Sequence, residues 1–197
     1  MVTRHWKLDD NVPSHSLIPN LFSEEECHAA IARFEAIGFT PAKLHRANSD
    51  LVEPEFRNNY SATTNDAMYA GELYARIKHH LPSAILGHRP AHMHDYLRCY
   101  RYDVGQYFAP HRDGSIFTPP GQTMVTCLIY LNQDYAGGET IFVGDGGRRP
   151  DVRVEPKLGA VLLFQHPLLH QGAAVVSGRK YVLGAKIAYT PIVATRA

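Results

Sequence analysis

Cysteine is scarce in this chain, with three residues among 197, at positions 27, 99 and 127. An odd number at wide spacing excludes a disulfide framework and a cysteine-built zinc site. Cys99 and Cys127 sit inside strand-like apolar runs and read as buried, reduced thiols, so a cytoplasmic protein is expected. Long hydrophobic runs are missing too, and none approaches the roughly 20 residues of a membrane-spanning helix. The first twenty residues carry Arg4, Lys7, Asp9 and Asp10 and show no apolar core of a signal peptide. There is no run of one charge, and the net charge is +1 with histidine neutral. A surface that tracks phosphates would show a basic cluster, so neither nucleic acid nor a membrane is an expected partner. No internal repeat, low-complexity tract or linker appears, and the length suits a single domain over residues 1–197. Nothing in the sequence indicates an oligomeric state.

What the chain does have is histidine, twelve of them, and a change of period along its length. Ser14 to Leu21, flanked and interrupted by Pro13 and Pro19, suggests a short edge strand. Ser23 followed three residues later by Glu26 has capping-box spacing, with Glu24 and Glu25 at the positive end of the helix dipole. Cys27, Ala30, Ile31 and Phe34 recur at helical steps, and Gly38 supplies a C-terminal cap. Residues 40–62 are polar, contain Pro41 and Pro54, and read as a long loop. A second helix is predicted from Asp66 to Leu81, on the stripe Tyr69, Ala70, Leu73, Tyr74 and Ile77.

From Tyr96 the pattern is that of strands, over 96–102, 124–131, 139–143, 152–154, 159–164 and 181–189. Gly144, Gly146 and Gly147 make a tight connection between two of them. Helices first and short strands afterwards predict a mainly β fold, a sandwich or barrel with helices packed outside it. Residues 1–95 are then helical support and lid, and residues 96–191 the core.

One stretch, from Tyr100 to Tyr181, concentrates the chemistry. It holds a His-x-Asp pair, His111 and Asp113, then His166 and His170 downstream, then Lys180. Residues i and i+2 of a strand point to one face, so His111 and Asp113 can reach one metal. Two histidines and one carboxylate occupy one face of an octahedral ion and leave the other open, the pattern of non-haem Fe(II) oxygenases. Either His166 or His170 can complete such a set.

The surroundings resemble the prolyl-4-hydroxylase-like branch of the 2-oxoglutarate/Fe(II)-dependent dioxygenases. The resemblance runs through Tyr100–Asp113, Thr126–Asn132, Gly137–Phe142, Pro156–Phe164 and His170–Tyr181, in that order. It implies a double-stranded β-helix, or jelly roll. By position it implies His111, Asp113 and His170 as the catalytic iron ligands. Lys180, ten residues past His170, matches the cation that pairs with the far carboxylate of the cosubstrate. Tyr102, Tyr130 and Thr140 match residues of the same pocket. The implied cofactors are Fe(II), 2-oxoglutarate and O2, with ascorbate as a reductant. The expected reaction is hydroxylation of an aliphatic carbon with release of succinate and CO2.

Other patterns fail. His92-Met93-His94 imitates a cupin His-x-His, but Arg98 and Cys99 stand where its acid belongs. The expected substrate is a small molecule or an amino-acid-like compound. A prolyl 4-hydroxylase acting on a proline-containing peptide or protein is one alternative, and a non-catalytic jelly-roll binding protein with a vestigial metal site is another. Arg57 and Asn58 are the candidate substrate-binding residues, in a stretch from Lys43 to Thr64 that reads as a lid.

Overall fold

The computed structural model describes residues 7–46, 49–146 and 150–193, with residues 44–46 and 49–50 given by backbone alone. The predicted Gly144–Gly147 connection therefore has its last glycine outside the described residues. The chain begins with β1 (His15–Ile18), α1 (Glu24–Ile37), β2 (Thr40–Pro41), β3 (Leu44–Arg46) and β4 (Ser49–Leu51). It continues through β5 (Tyr60–Asn65), α2 (Ala67–Ile77), β6 (His88–Met93), β7 (Tyr96–Tyr102) and β8 (Phe108–His111). Next come β9 (Phe117–Thr118), β10 (Gly121–Tyr130), β11 (Tyr135–Gly137), β12 (Thr140–Phe142) and β13 (Val152–Val154). The last strands are β14 (Val161–Gln165), β15 (His170–Gly172), β16 (Val175–Gly178) and β17 (Lys180–Pro191).

The two helices form where the sequence predicts them. Ser23 caps α1 by accepting from the Glu26 amide, and the Glu26 side chain accepts from the Ser23 amide in return. Asp66 caps α2 by accepting from the Tyr69 amide. A short 3-10 turn, Lys78–His80, carries the second helix to its predicted end.

The strands build a mainly β fold of antiparallel sheets. The larger sheet runs β1-β14-β10-β17-β7-β5-β2, with β6 pairing β17 and β9 pairing β10. A smaller sheet runs β13-β12-β15-β8. Two apolar clusters follow from this layering. One joins Cys27, Ala30 and Phe34 of α1 and Leu73 and Ile77 of α2 to Leu97, Ile129 and Leu183 of the larger sheet. The other lies between the sheets, with Tyr102, Tyr130, Leu162, Phe164 and Val182 facing Phe142 and Val154. Successive residues of β7, β10 and β17 thus alternate between a helix-packed face and an interior face.

Three expectations need correction. The division at residue 96 is not a division in the fold, because β1, β2, β5 and β6 all belong to the larger sheet. The stretch 40–62 is not a long loop. β5 pairs with β7 from Tyr60↔Arg101 to Asn65↔Tyr96, β3 and β4 form a hairpin, and Arg57 makes a β-bridge to Phe108. Backbone pairing with an apolar strand held a polar segment in place where composition suggested none. Finally, His111 ends β8, so Asp113 lies beyond the strand, fixed by its amide donating to the His166 carbonyl.

Candidate metal centre

The smaller sheet sets the two histidines face to face. β15 pairs with β8 so that His170 is directly opposite His111. One ligand atom from each of His111, Asp113 and His170 lies within 4.8 Å of the others, the one such trio among the described residues. His111 Nδ1 is 2.8 Å from the Ala109 carbonyl, and His170 Nδ1 is 3.0 Å from the Leu168 carbonyl. A carbonyl only accepts, so both Nδ1 atoms carry the hydrogen and both Nε2 lone pairs are left to bind an ion. Asp113 Oδ2 accepts from the Thr126 hydroxyl, and its Oδ1 faces His111 Nε2 at 3.9 Å. Phe108 stacks on the His111 ring at 3.6 Å between centroids and fixes its plane.

The electrostatics suit a divalent cation. Burial, aided by the neighbouring His170, pushes His111 down to about 4, so its imidazole is neutral near neutral pH. Burial would raise the Asp113 carboxyl, but His170, Lys186, His166 and His111 around it hold it well below the usual carboxylate range. Two imidazole Nε2 atoms and one carboxylate are the donor set that a non-haem Fe(II) takes, and these residues fit it. His166 stands apart from the trio. It is buried, its Nδ1 lies 3.4 Å from the Ser115 hydroxyl, and its backbone holds Asp113 in place.

Behind the trio a cavity of about 740 Å3 opens, lined by the three ligands together with Arg57, Tyr102, Thr140 and Lys180. Lys180 begins β17 opposite Tyr102 and is 3% exposed. Its Nζ donates to the Gly138 carbonyl at 2.7 Å and lies 5.2 and 5.6 Å from the Tyr102 and Tyr130 ring centroids. Gly138 adopts φ +71°, and a Cβ there would lie 3.1 Å from Lys180 Cδ, so a bare backbone makes room for the ammonium. Burial pulls Lys180 down to about 8, with Glu139 opposing. The Tyr130 and Thr140 hydroxyls are 2.8 Å apart, beside this ammonium. Arg179, one residue earlier, faces outward and pairs with Asp103.

Arg57 reaches the cavity, where its guanidinium lies 3.9 Å over the Phe108 ring. Asn58 does not line it, because its side chain accepts from the Tyr107 amide instead. Sequence reasoning passed over Thr126, Phe108, Arg98 and Lys186. The period-two rule, carried outward from Tyr102, Tyr130 and Lys180, points to Arg98, Thr126 and Lys186 as their interior-facing neighbours.

Comparison with known proteins agrees with this geometry. Residues 97–186 match the 2OG-Fe(II) oxygenase superfamily. Prolyl 4-hydroxylase 13 of Arabidopsis thaliana is 24% identical over 90% of this chain and 75% of its own length. Prolyl 4-hydroxylase 1 of the same plant is 31% identical over 50% of this chain and 42% of its own length. Among solved structures, a Pseudomonas putida prolyl-4-hydroxylase superimposes with a TM-score of 0.62 at 19% identity, covering 94% of this chain and 96% of its own. A prolyl hydroxylase from Trichoplax adhaerens, solved with a hypoxia inducible factor peptide fragment, gives 0.68 at 16% identity over 90% and 84%. At these identities the structures speak for the fold, and the pairing of His111, Asp113 and His170 within the matched residues speaks for the chemistry. Over residues 97–186 the chain matches the 2OG-Fe(II) oxygenase superfamily, and it resembles the prolyl-4-hydroxylase-like branch of that superfamily.

Proposed function

We propose that this enzyme hydroxylates an aliphatic C–H of a small-molecule or amino-acid-like substrate, using 2-oxoglutarate and O2. The observation that carries the reading is the pairing of the iron-binding trio with Lys180, a buried ammonium in the same cavity whose hydrogen-bond acceptor is a neutral carbonyl. A buried ammonium without a carboxylate partner is costly, and the far carboxylate of 2-oxoglutarate would relieve it. His111, Asp113 and His170 would hold Fe(II), which supplies oxidative decarboxylation of the cosubstrate and oxygen transfer. The Nδ1–H bonds to Ala109 and Leu168 and the Thr126 hydroxyl would keep those ligands oriented.

Arg57 supports a substrate with a carboxylate. It is 3% exposed, and its Nη2 has no partner among the described residues. A planar guanidinium pairs with carboxylates through two parallel hydrogen bonds. The prolyl 4-hydroxylase names of the relatives favour a second reading, a proline-containing peptide. Succinate release from 2-oxoglutarate and Fe(II), with ascorbate present, decides between them when amino acids, small metabolites and proline-rich peptides are added in turn. Coupled turnover with a free amino acid, weakened in Arg57→Lys, supports the first reading. Turnover with peptides alone replaces it with the second, and no succinate under any condition removes both.

A further inference from the structure

This inference rests on the iron-site reading and concerns what holds His111. β8 is gripped along both of its edges. On one edge β15 pairs with it and sets His170 opposite His111. Along the other run Phe56, Arg57 and Asn58. The Ala109 amide donates to the Phe56 carbonyl at 2.8 Å, and the Asn58 amide donates to the Tyr107 carbonyl at 3.4 Å. The Tyr107 amide donates to Asn58 Oδ1 at 2.8 Å, and Arg57 bridges Phe108 between them. Ala109 is also the residue whose carbonyl takes the Nδ1 hydrogen of His111. Phe56 thus fixes the residue that orients the imidazole.

The side chains repeat the arrangement. The His111 ring stacks on Phe108 at 3.6 Å between centroids and 18° between planes, and the Arg57 guanidinium carbon lies 3.9 Å from the same Phe108 centroid. A ring face covered at 3.6 Å has no room for a second group, so imidazole and guanidinium take opposite faces of Phe108. A cation over an aromatic face is attracted by the ring's π electrons, which keeps the plate from sliding. Arg57 is itself fixed, being 3% exposed with its Nε donating to Asn59 Oδ1 at 3.0 Å. Phe56 closes the edge of the stack, 5.7 Å from the Phe108 ring and 6.4 Å from the His111 ring. His170 is held differently, against Phe164 of β14 at 4.5 Å and Phe142 of β12 at 6.4 Å, both in the interior cluster.

We infer that Arg57 is a positioning residue for the metal, acting on His111 through the Phe108 plate. The two histidines of the trio are then held by different parts of the chain, one by the interior cluster and one by the segment 56–59. Without the plate the imidazole is free to turn about its Cβ–Cγ bond, and an ion must pay the cost of ordering it.

The test is a double-mutant cycle on the whole protein without substrate, so that any contact of Arg57 with a substrate carboxylate does not enter it. Fe(II) affinity is read by competition with a chelator, and the visible charge-transfer band is read with 2-oxoglutarate under anaerobic conditions. Phe108→Leu should weaken Fe(II) binding by about 10–100-fold and shift the band, while Phe108→Tyr, which keeps the plate, should stay within about threefold with the band in place. Arg57→Met, which keeps the length and loses the cation, should weaken binding by about 3–10-fold and shift the band. In the Phe108→Leu background Arg57→Met should add less than about twofold, because its path to His111 is gone. The proposal is overturned if Phe108→Leu binds Fe(II) within about threefold of the unaltered protein, or if Arg57→Met costs as much with the plate removed as with it present. Should Phe108→Leu fail to fold, Arg57→Met decides alone, and unchanged affinity with an unshifted band overturns the proposal. No Fe(II) bound by the unaltered protein would overturn the dioxygenase reading, and this inference with it.

Discussion

The two ends of the cavity are both cationic and are built in opposite ways. At one end Lys180 is 3% exposed, enclosed by two tyrosine rings and tied to a backbone carbonyl. At the other, three separate segments contribute, with Arg57 and Arg98 beside the Tyr100 ring and Lys186 donating to the Gly114 carbonyl. A single fixed ammonium in a tight, dry pocket suits one ligand of constant shape, the cosubstrate. At the other end a planar guanidinium such as that of Arg57, lying over the Phe108 ring, suits paired hydrogen bonds to a carboxylate. The lesson is that charge alone does not assign a role; enclosure and the number of contributing segments separate the two ends.

The comparison depends first on the ion that lies between them. His170→Ala should abolish iron binding in a metal titration and reduce succinate formation by more than the roughly 10–100-fold that loss of a supporting partner costs. His166→Ala should leave iron bound, since His166 is outside the trio. The reverse result would reassign the third ligand.

Lys180→Ala should cost the cosubstrate about 2–5 kcal/mol, a rise of roughly 30-fold or more in the 2-oxoglutarate requirement. An equal effect from Arg57→Ala on 2-oxoglutarate would erase the distinction between the ends. Thr126→Val removes the donor to Asp113 Oδ2 and should weaken Fe(II) affinity by roughly 10–100-fold, read by competition with a chelator.

The pH dependence sharpens the picture at Lys180. Its pKa is pulled from the ordinary 10.5 to about 8, so in the free protein the ammonium is lost as the pH rises through about 8. Cosubstrate affinity should then fall about tenfold per pH unit above that point, until the complex itself titrates. Stability runs the other way. The unfolded chain holds this proton up to 10.5, so the penalty for burying the charge is full below about 8 and is relieved between 8 and 10.5. Titration calorimetry and thermal unfolding across this window should therefore move in opposite directions. The smallest effect is expected from Arg179→Ala. That exposed pair with Asp103 is worth at most about 1 kcal/mol, and the 2-oxoglutarate requirement should change by less than about threefold.

Much of this protein follows from its sequence alone. The capping box at Ser23, the apolar stripe of α2 and the alternation in β7, β10 and β17 depend on near neighbours, and periodicity expresses them directly. The trio and Lys180 were legible because their order and spacing match a familiar arrangement, although Asp113 lies beyond β8 and shares no strand face with His111. Tertiary structure decided the rest. Residues 40–62 read as a loop because the pairing partner of β5, β7, lies far along the chain, and only the assembled sheet supplies the hydrogen bonds that make β5 a strand. For the same reason Arg57, a polar residue in a polar stretch, becomes a buried wall of the cavity through its bridge to Phe108. His166 and His170 are equivalent by composition, and the pairing of β15 with β8 separates them by setting one histidine opposite His111 and leaving the other against Ser115. Arg98 and Lys186 line the same cavity as Arg57 only in three dimensions, because the three lie on distant segments that strand pairing brings together.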